Sequence, residues 1–148
     1  MARRYGTTHE TPAGTNLTIL ELVAATTTRG WIYDIVIGSD AAPADIATEF
    51  NLIRGTVSGT GTGTDEVALD PADPAALLTG EGGTFTGQTK TANTSMMEIA
   101  LNQRATFRWV AAPESEIVVP ATSDNWVGLE SIASGGTPNI NVTFLWLE

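Results

Sequence analysis

The chain has no cysteine, a single lysine and a single histidine in 148 residues. Without cysteine there are no disulfides, thiolate metal sites or cysteine nucleophiles. The histidine, His9, falls in a polar N-terminal stretch with no predicted rigid element to hold a catalytic imidazole, so it reads as an ordinary residue of that stretch. Charged residues make up 16% of the chain, against about 25% in ordinary domains, which excludes a charge-driven disordered chain. Long apolar runs are lacking too. The best candidate, Leu17 to Ala25, is interrupted by Glu21 and is too short to span a bilayer. The basic start Met-Ala-Arg-Arg-Tyr-Gly is not followed by an apolar run of signal-peptide length. The expectation is synthesis in the cytoplasm and no membrane partner. The Asn-x-Thr/Ser sequences at Asn16, Asn93 and Asn141 then carry no weight as glycosylation sites.

Bases are scarce: seven against seventeen acids give a net charge of −10. Phosphate binding needs clustered Lys and Arg, so nucleic acid is a poor partner for this chain. The bases are also uneven, with Arg3 and Arg4 at the start and Arg104 and Arg108 close together late, while Asp65 to Glu81 holds acids and no base. Such a dipolar surface suits docking onto another charged protein, though acids also simply keep a β protein soluble.

Chemical motifs are missing as well. No Gly-x-Ser-x-Gly elbow occurs. The stretch Gly59-Thr60-Gly61-Thr62-Gly63-Thr64 lacks the Gly-Lys-Thr ending of a phosphate loop and reads as a flexible surface loop. Asp65, Glu66, Asp70 and Asp73 lie close together, but their spacing matches no EF-hand, and Pro71 and Pro74 point to turns. Nothing selects a catalytic pair of carboxylates. The expectation is a non-enzyme with no cofactor and no metal.

What the chain does have is threonine, glycine and proline: 23, 15 and 7 residues. Thr favours strands, and Gly and Pro favour turns, so the bulk reading is all-β. Apolar or alternating runs predict strands at 17–27, 31–37, 51–58, 84–89, 94–101, 104–112, 116–119, 126–133 and 140–147. In 31–37, residues Trp31, Tyr33, Ile35 and Ile37 share one predicted face. Ser39 to Phe50 is the one credible helix, with Pro43 near its first turn and Ser39 or Asp40 as cap. Residues from Gly59 to about Gly83 read as a long loop, and 1–16 as an extended N-terminal arm. Helices do not alternate with strands. The predicted fold is therefore an antiparallel two-sheet β-sandwich, jelly-roll-like, formed by 17–148 as a single domain, with one short helix and a long loop. An immunoglobulin-like sandwich or a closed barrel would also meet the pattern.

Trp31, Trp109 and Trp146 fall on the apolar sides of their strands and read as core. Trp126 follows the polar turn Ser123-Asp124-Asn125 and is a candidate ligand platform, as in a carbohydrate-binding module of a tail or host-attachment protein. The last strand alternates Ile140, Val142, Phe144 and Trp146 against a face that ends in Leu145 and Leu147. Those leucines need a cover, and a symmetric homo-oligomer is the commonest one.

The opening Met-Ala-Arg-Arg-Tyr, the stretch Ile32-Tyr33-Asp34-Ile35 with Gly38-Ser39-Asp40 and Pro43-Ala44-Asp45, and the run Asn102 to Pro113 resemble small structural proteins of tailed bacteriophages, the capsid cement or decoration proteins. The resemblance implies a jelly-roll-like sandwich without enzymatic activity, a homotrimer seated on the outer surface of the capsid, and the major capsid protein as partner. With it go expected roles for particular residues. Arg3, Arg4 and Tyr5 would touch the capsid. Arg104, Arg108, Leu145 and Leu147 would meet neighbouring copies.

Overall fold

A computed structural model describes residues 2–148, apart from the side chains of residues 133 and 134. The strands are β1 (Arg4–Pro12), β2 (Leu17–Val23), β3 (Gly30–Ser39), β4 (Ala47–Val57), β5 (Thr60–Gly63), β6 (Val67–Ala68), β7 (Thr79–Thr86), β8 (Thr89–Lys90), β9 (Met97–Asn102), β10 (Phe107–Val110), β11 (Ile117–Val119), β12 (Trp126–Ser134) and β13 (Asn139–Leu147). One sheet has the order β10-β3-β13-β1-β6, with β11 also on β3. The other runs β5-β7-β2-β12-β4-β8, with β9 also on β4. Every ladder is antiparallel.

With the insert β5–β8 and the short β11 set aside, the two sheets read β1-β13-β3-β10 and β2-β12-β4-β9. Consecutive strands alternate between sheets except for β4 and β9, which pair within one sheet, and the last strand of each sheet lies between its first two. This is the jelly-roll arrangement of two Greek keys. The inner faces meet in one core that includes Tyr5, Leu20, Leu22, Ile35, Ile37, Phe50, Leu52, Phe144 and Trp146.

Three sequence expectations are corrected. The N-terminal stretch is not an arm: β1 pairs with β13 from Arg4↔Leu147 to Pro12↔Asn139, and Tyr5 stacks on Trp146 with ring centroids 5.7 Å apart. Its polar outer residues disguised a strand whose partner is the last in the chain. Among the described residues there is no helix at 39–50. Ala42 takes φ 51°, which breaks any helical run, and Thr48, Phe50 and Leu52 point inward at strand spacing. The long loop carries β5, β6 and most of β7. Strand β7 extends one sheet beyond β2, and β6 extends the other beyond β1, so the insert closes one side of the sandwich.

A bulge refines the reading of β3. Its partners on β13 jump from Asp34↔Leu145 to Ile32↔Trp146, leaving Tyr33 as the extra residue. Ile35 and Ile37 face the core as expected, but Ile32 replaces Trp31 and Tyr33, which fall on the outer face, half-buried.

Candidate functional site

The two outer faces of the sandwich differ. That of the sheet containing β2 is covered by the molecule itself. The connection from β7, beside β2, to β8, beside β4, passes over it through Gly87 and Gln88. Gly87 has φ 77° and Gly59, which would collide with Gln88 if it carried a Cβ, has φ 75°; both need glycine. Beneath the crossing lies a small second core of Val23, Ile53 and Trp126. The Trp126 indole lies flat over Gly55, where a Cβ would stand 2.0 Å from Cε2, and its Nε1 donates to the Val57 carbonyl at 2.9 Å. Trp126 is fully buried, so it offers no platform to a ligand. The polar turn before it signalled exposure, but the residue packs into this second core on the outer side of its sheet.

Beside Trp126 the same crossing seals a polar cluster. Gln88 Oε1 accepts from Thr18 Oγ1 at 2.9 Å, and its amide donates to Glu21 Oε2 at 2.5 Å. Lys90 pairs with Glu130 and donates to the Asn16 carbonyl at 2.8 Å. Glu21 is 0% exposed, and its Oε1 has no hydrogen-bond partner among the described residues. Burial first of all, opposed by the Gln88 bond, and then the charge of Glu81, opposed by Lys90, push its pKa from 4.5 up to about 8.

The outer face of the other sheet is open, and carries exposed apolar residues beside polar ones. On β13, Phe144 and Trp146 point inward, so Leu145 and Leu147 point out, half-buried. Leu145 lies over Gly6, where a Cβ would stand 2.8 Å from its Cδ2, and Leu69 reaches the same glycine. Val67 pairs with Gly6 across the ladder, and Val110 with Asp34. Val67, Leu69 and Val110 are 60%, 50% and 56% exposed. Trp31, Tyr33 and Val36 share this face with them, and Asp34, which pairs with both Leu145 and Val110, interrupts the apolar row on β3. Arg108 reaches Asp34. Its Nε lies 3.0 Å and 3.2 Å from the two oxygens of Asp34, and its Nη2 2.5 Å from Oδ2, so a buried carboxylate is held by a guanidinium in water.

The remaining predicted residues divide. Arg104 is exposed in the β9–β10 turn, and Arg3 and Arg4 are exposed at the end of β1. Arg3 lies 3.8 Å from Asp73, at the edge of an open groove of about 370 Å³ lined by Arg3, Arg4, Leu69, Asp70 and Asp73. Tyr5 is not with them. It is fully buried and donates to the Pro74 carbonyl at 3.1 Å, so it anchors the insert and is out of reach of a partner. His9, half-buried on β1, packs on Gly82, where a Cβ would stand 2.2 Å from its Cγ, and burial lowers its pKa. Among the described residues no three Asp, Glu or His side chains come together as a metal site. Sequence reasoning missed Val67 and Leu69, because they sit among Gly, Asp and Pro that signal a loop. Comparison with protein-family models, curated proteins and solved structures returns no match.

Proposed function

We propose that this chain is a structural protein of a tailed-phage virion, which binds the outside of the capsid as a cement or decoration homotrimer and performs no catalysis. The observation that carries the reading is the group of outward apolar residues Val67, Leu69, Leu145 and Leu147, with Val110 beyond Asp34 on the same face. Contiguous apolar patches on soluble proteins mark interaction surfaces. The other outer face already has its cover, so this one is the face left for a neighbouring copy. The jelly roll recurs in viral shells, which supports the reading by analogy of fold.

In this role the trimer meets the major capsid protein through the exposed Arg3 and Arg4 end, and Arg104 borders the contacts between copies. A protein that binds the assembled lattice and not its separated subunits stabilises the closed shell by mass action. Three copies on one axis engage three sites together, so weak contacts add through effective concentration.

The test is native mass spectrometry of the chain, followed by titration onto purified capsids stripped of decoration proteins. A trimer that saturates the capsids and raises the temperature at which they burst is the expected result. A monomer that leaves the capsids unoccupied overturns the reading. Leu145→Lys and Leu147→Lys should dissociate the trimer while leaving the fold intact.

A further inference from the structure

The side of the sandwich opposite β5, β6 and β7 is open beyond β8, which pairs with the end of β4. Here β9 ends one sheet, and β10 and β11 end the other; among the described residues none of the three has a partner on its outer edge. Between these free edges runs a groove of about 400 Å³, lined by Met96, Met97, Trp109, Ile117, Ser115 and Glu116, with Arg54 among them. That volume is in the range of sites that hold ligands.

Arg54 is the odd element. It is half-buried on β4, and its Nη1 donates at 2.5 Å to the carbonyl of Val118 on the opposite sheet. None of the ion pairs among the described residues involves it, including any with Glu116. Its pKa is lowered by burial. The other partly buried cation, Lys90, has its carboxylate in Glu130. A guanidinium carries five N–H donors in a fork that matches a carboxylate. Leaving one half-desolvated against a single carbonyl costs free energy that an anion would return.

We infer that this groove binds an extended segment of a partner protein that places a Glu or Asp carboxylate on Arg54 between two apolar side chains. The carboxylate meets the free donors of Arg54. The flanking side chains rest on Met96, Met97, Trp109 and Ile117. The segment's backbone finds unpaired N–H and C=O groups on the two edges, the mode by which strands add to sheets. A small free carboxylate would use the first contact and forgo the others. The inference goes beyond the capsid reading and stands without it, because it concerns the isolated chain.

Isothermal titration calorimetry of the native protein with acetyl-Thr-Val-Glu-Val-Thr-amide, its Gln counterpart and N-acetyl-leucine tests it. Saturable binding of the Glu peptide is expected, at least about tenfold weaker for the Gln peptide and for N-acetyl-leucine. Arg54→Gln should lose the preference for Glu over Gln. Met97→Glu, which supplies a carboxylate from within the chain, should abolish binding and serves if Arg54→Gln does not fold. Equal binding of the Glu and Gln peptides, or none at millimolar concentration, means that Arg54 is only a strut between the sheets and overturns the proposal. Equal binding of N-acetyl-leucine overturns the extended segment as occupant.

Discussion

Glu21 makes the stability of this protein fall as pH rises through neutrality. The unfolded chain ionises the residue at its ordinary 4.5, while the folded chain holds the proton until about 8. Below 4.5 both states are protonated and the residue adds no pH dependence. Between the two values the unfolded state binds fewer protons, so each pH unit removes about 1.36 kcal/mol from folding stability. Across the whole window the loss is about 5 kcal/mol, a large share of the 5–15 kcal/mol typical of a domain. Above about 8 the folded carboxyl ionises too, and the loss is complete. Glu21→Gln keeps the shape and removes the proton, so its gain over the native protein should grow from near zero at pH 4.5 to about 4–5 kcal/mol at pH 8.5. Urea unfolding of both proteins across that range measures it. Taking the difference cancels the acids that titrate alike in both. Parallel pH profiles would refute the reasoning, and with it the sealing of Glu21 beneath Gln88.

Gly55→Ala drives a methyl into the Trp126 ring, which lies 2.0–2.3 Å from the position of that Cβ; thermal unfolding should show a loss of about 3 kcal/mol. Gly82→Val should displace His9 and loosen the insert, read as faster proteolysis between residues 60 and 83. Arg108→Ala strands the buried Asp34 carboxylate and should lower the melting temperature, whereas Arg104→Ala should leave it unchanged. Phe144→Ala, at the centre of the core, should cost about 3–5 kcal/mol in urea unfolding.

Much of the sandwich was legible because alternation at a period of two survives wherever one face is buried. The strands at 31–37, 94–101, 126–133 and 140–147 lie close to those observed. Reading failed where the deciding contact is remote. β1 is polar on its outer face and earns its place only by pairing with β13, which no local window sees. At 39–50, a stripe of Ala44, Ile46, Ala47 and Phe50 imitates a helix, yet Thr48, Phe50 and Leu52 enter the core together. The bulge at Tyr33 moved two aromatic residues to the other face. For the candidate surfaces, Leu145 and Leu147 showed themselves by alternation. Arg54 did not, because an isolated arginine becomes unusual only once the fold shows it half-buried and outside the ion pairs of the described residues.

The pairing of β1 with β13 has a further consequence, for biogenesis. β1 leaves the ribosome long before β13, and neither can settle until both are out. The sheet they share cannot close before then, and nearly every ladder joins distant parts of the chain. Such non-local topology folds slowly, on the scale of milliseconds to seconds. Meanwhile the threonine-rich N-terminal strand emerges with its hydrogen-bonding edge bare, and its polar outer residues help keep that waiting segment in solution.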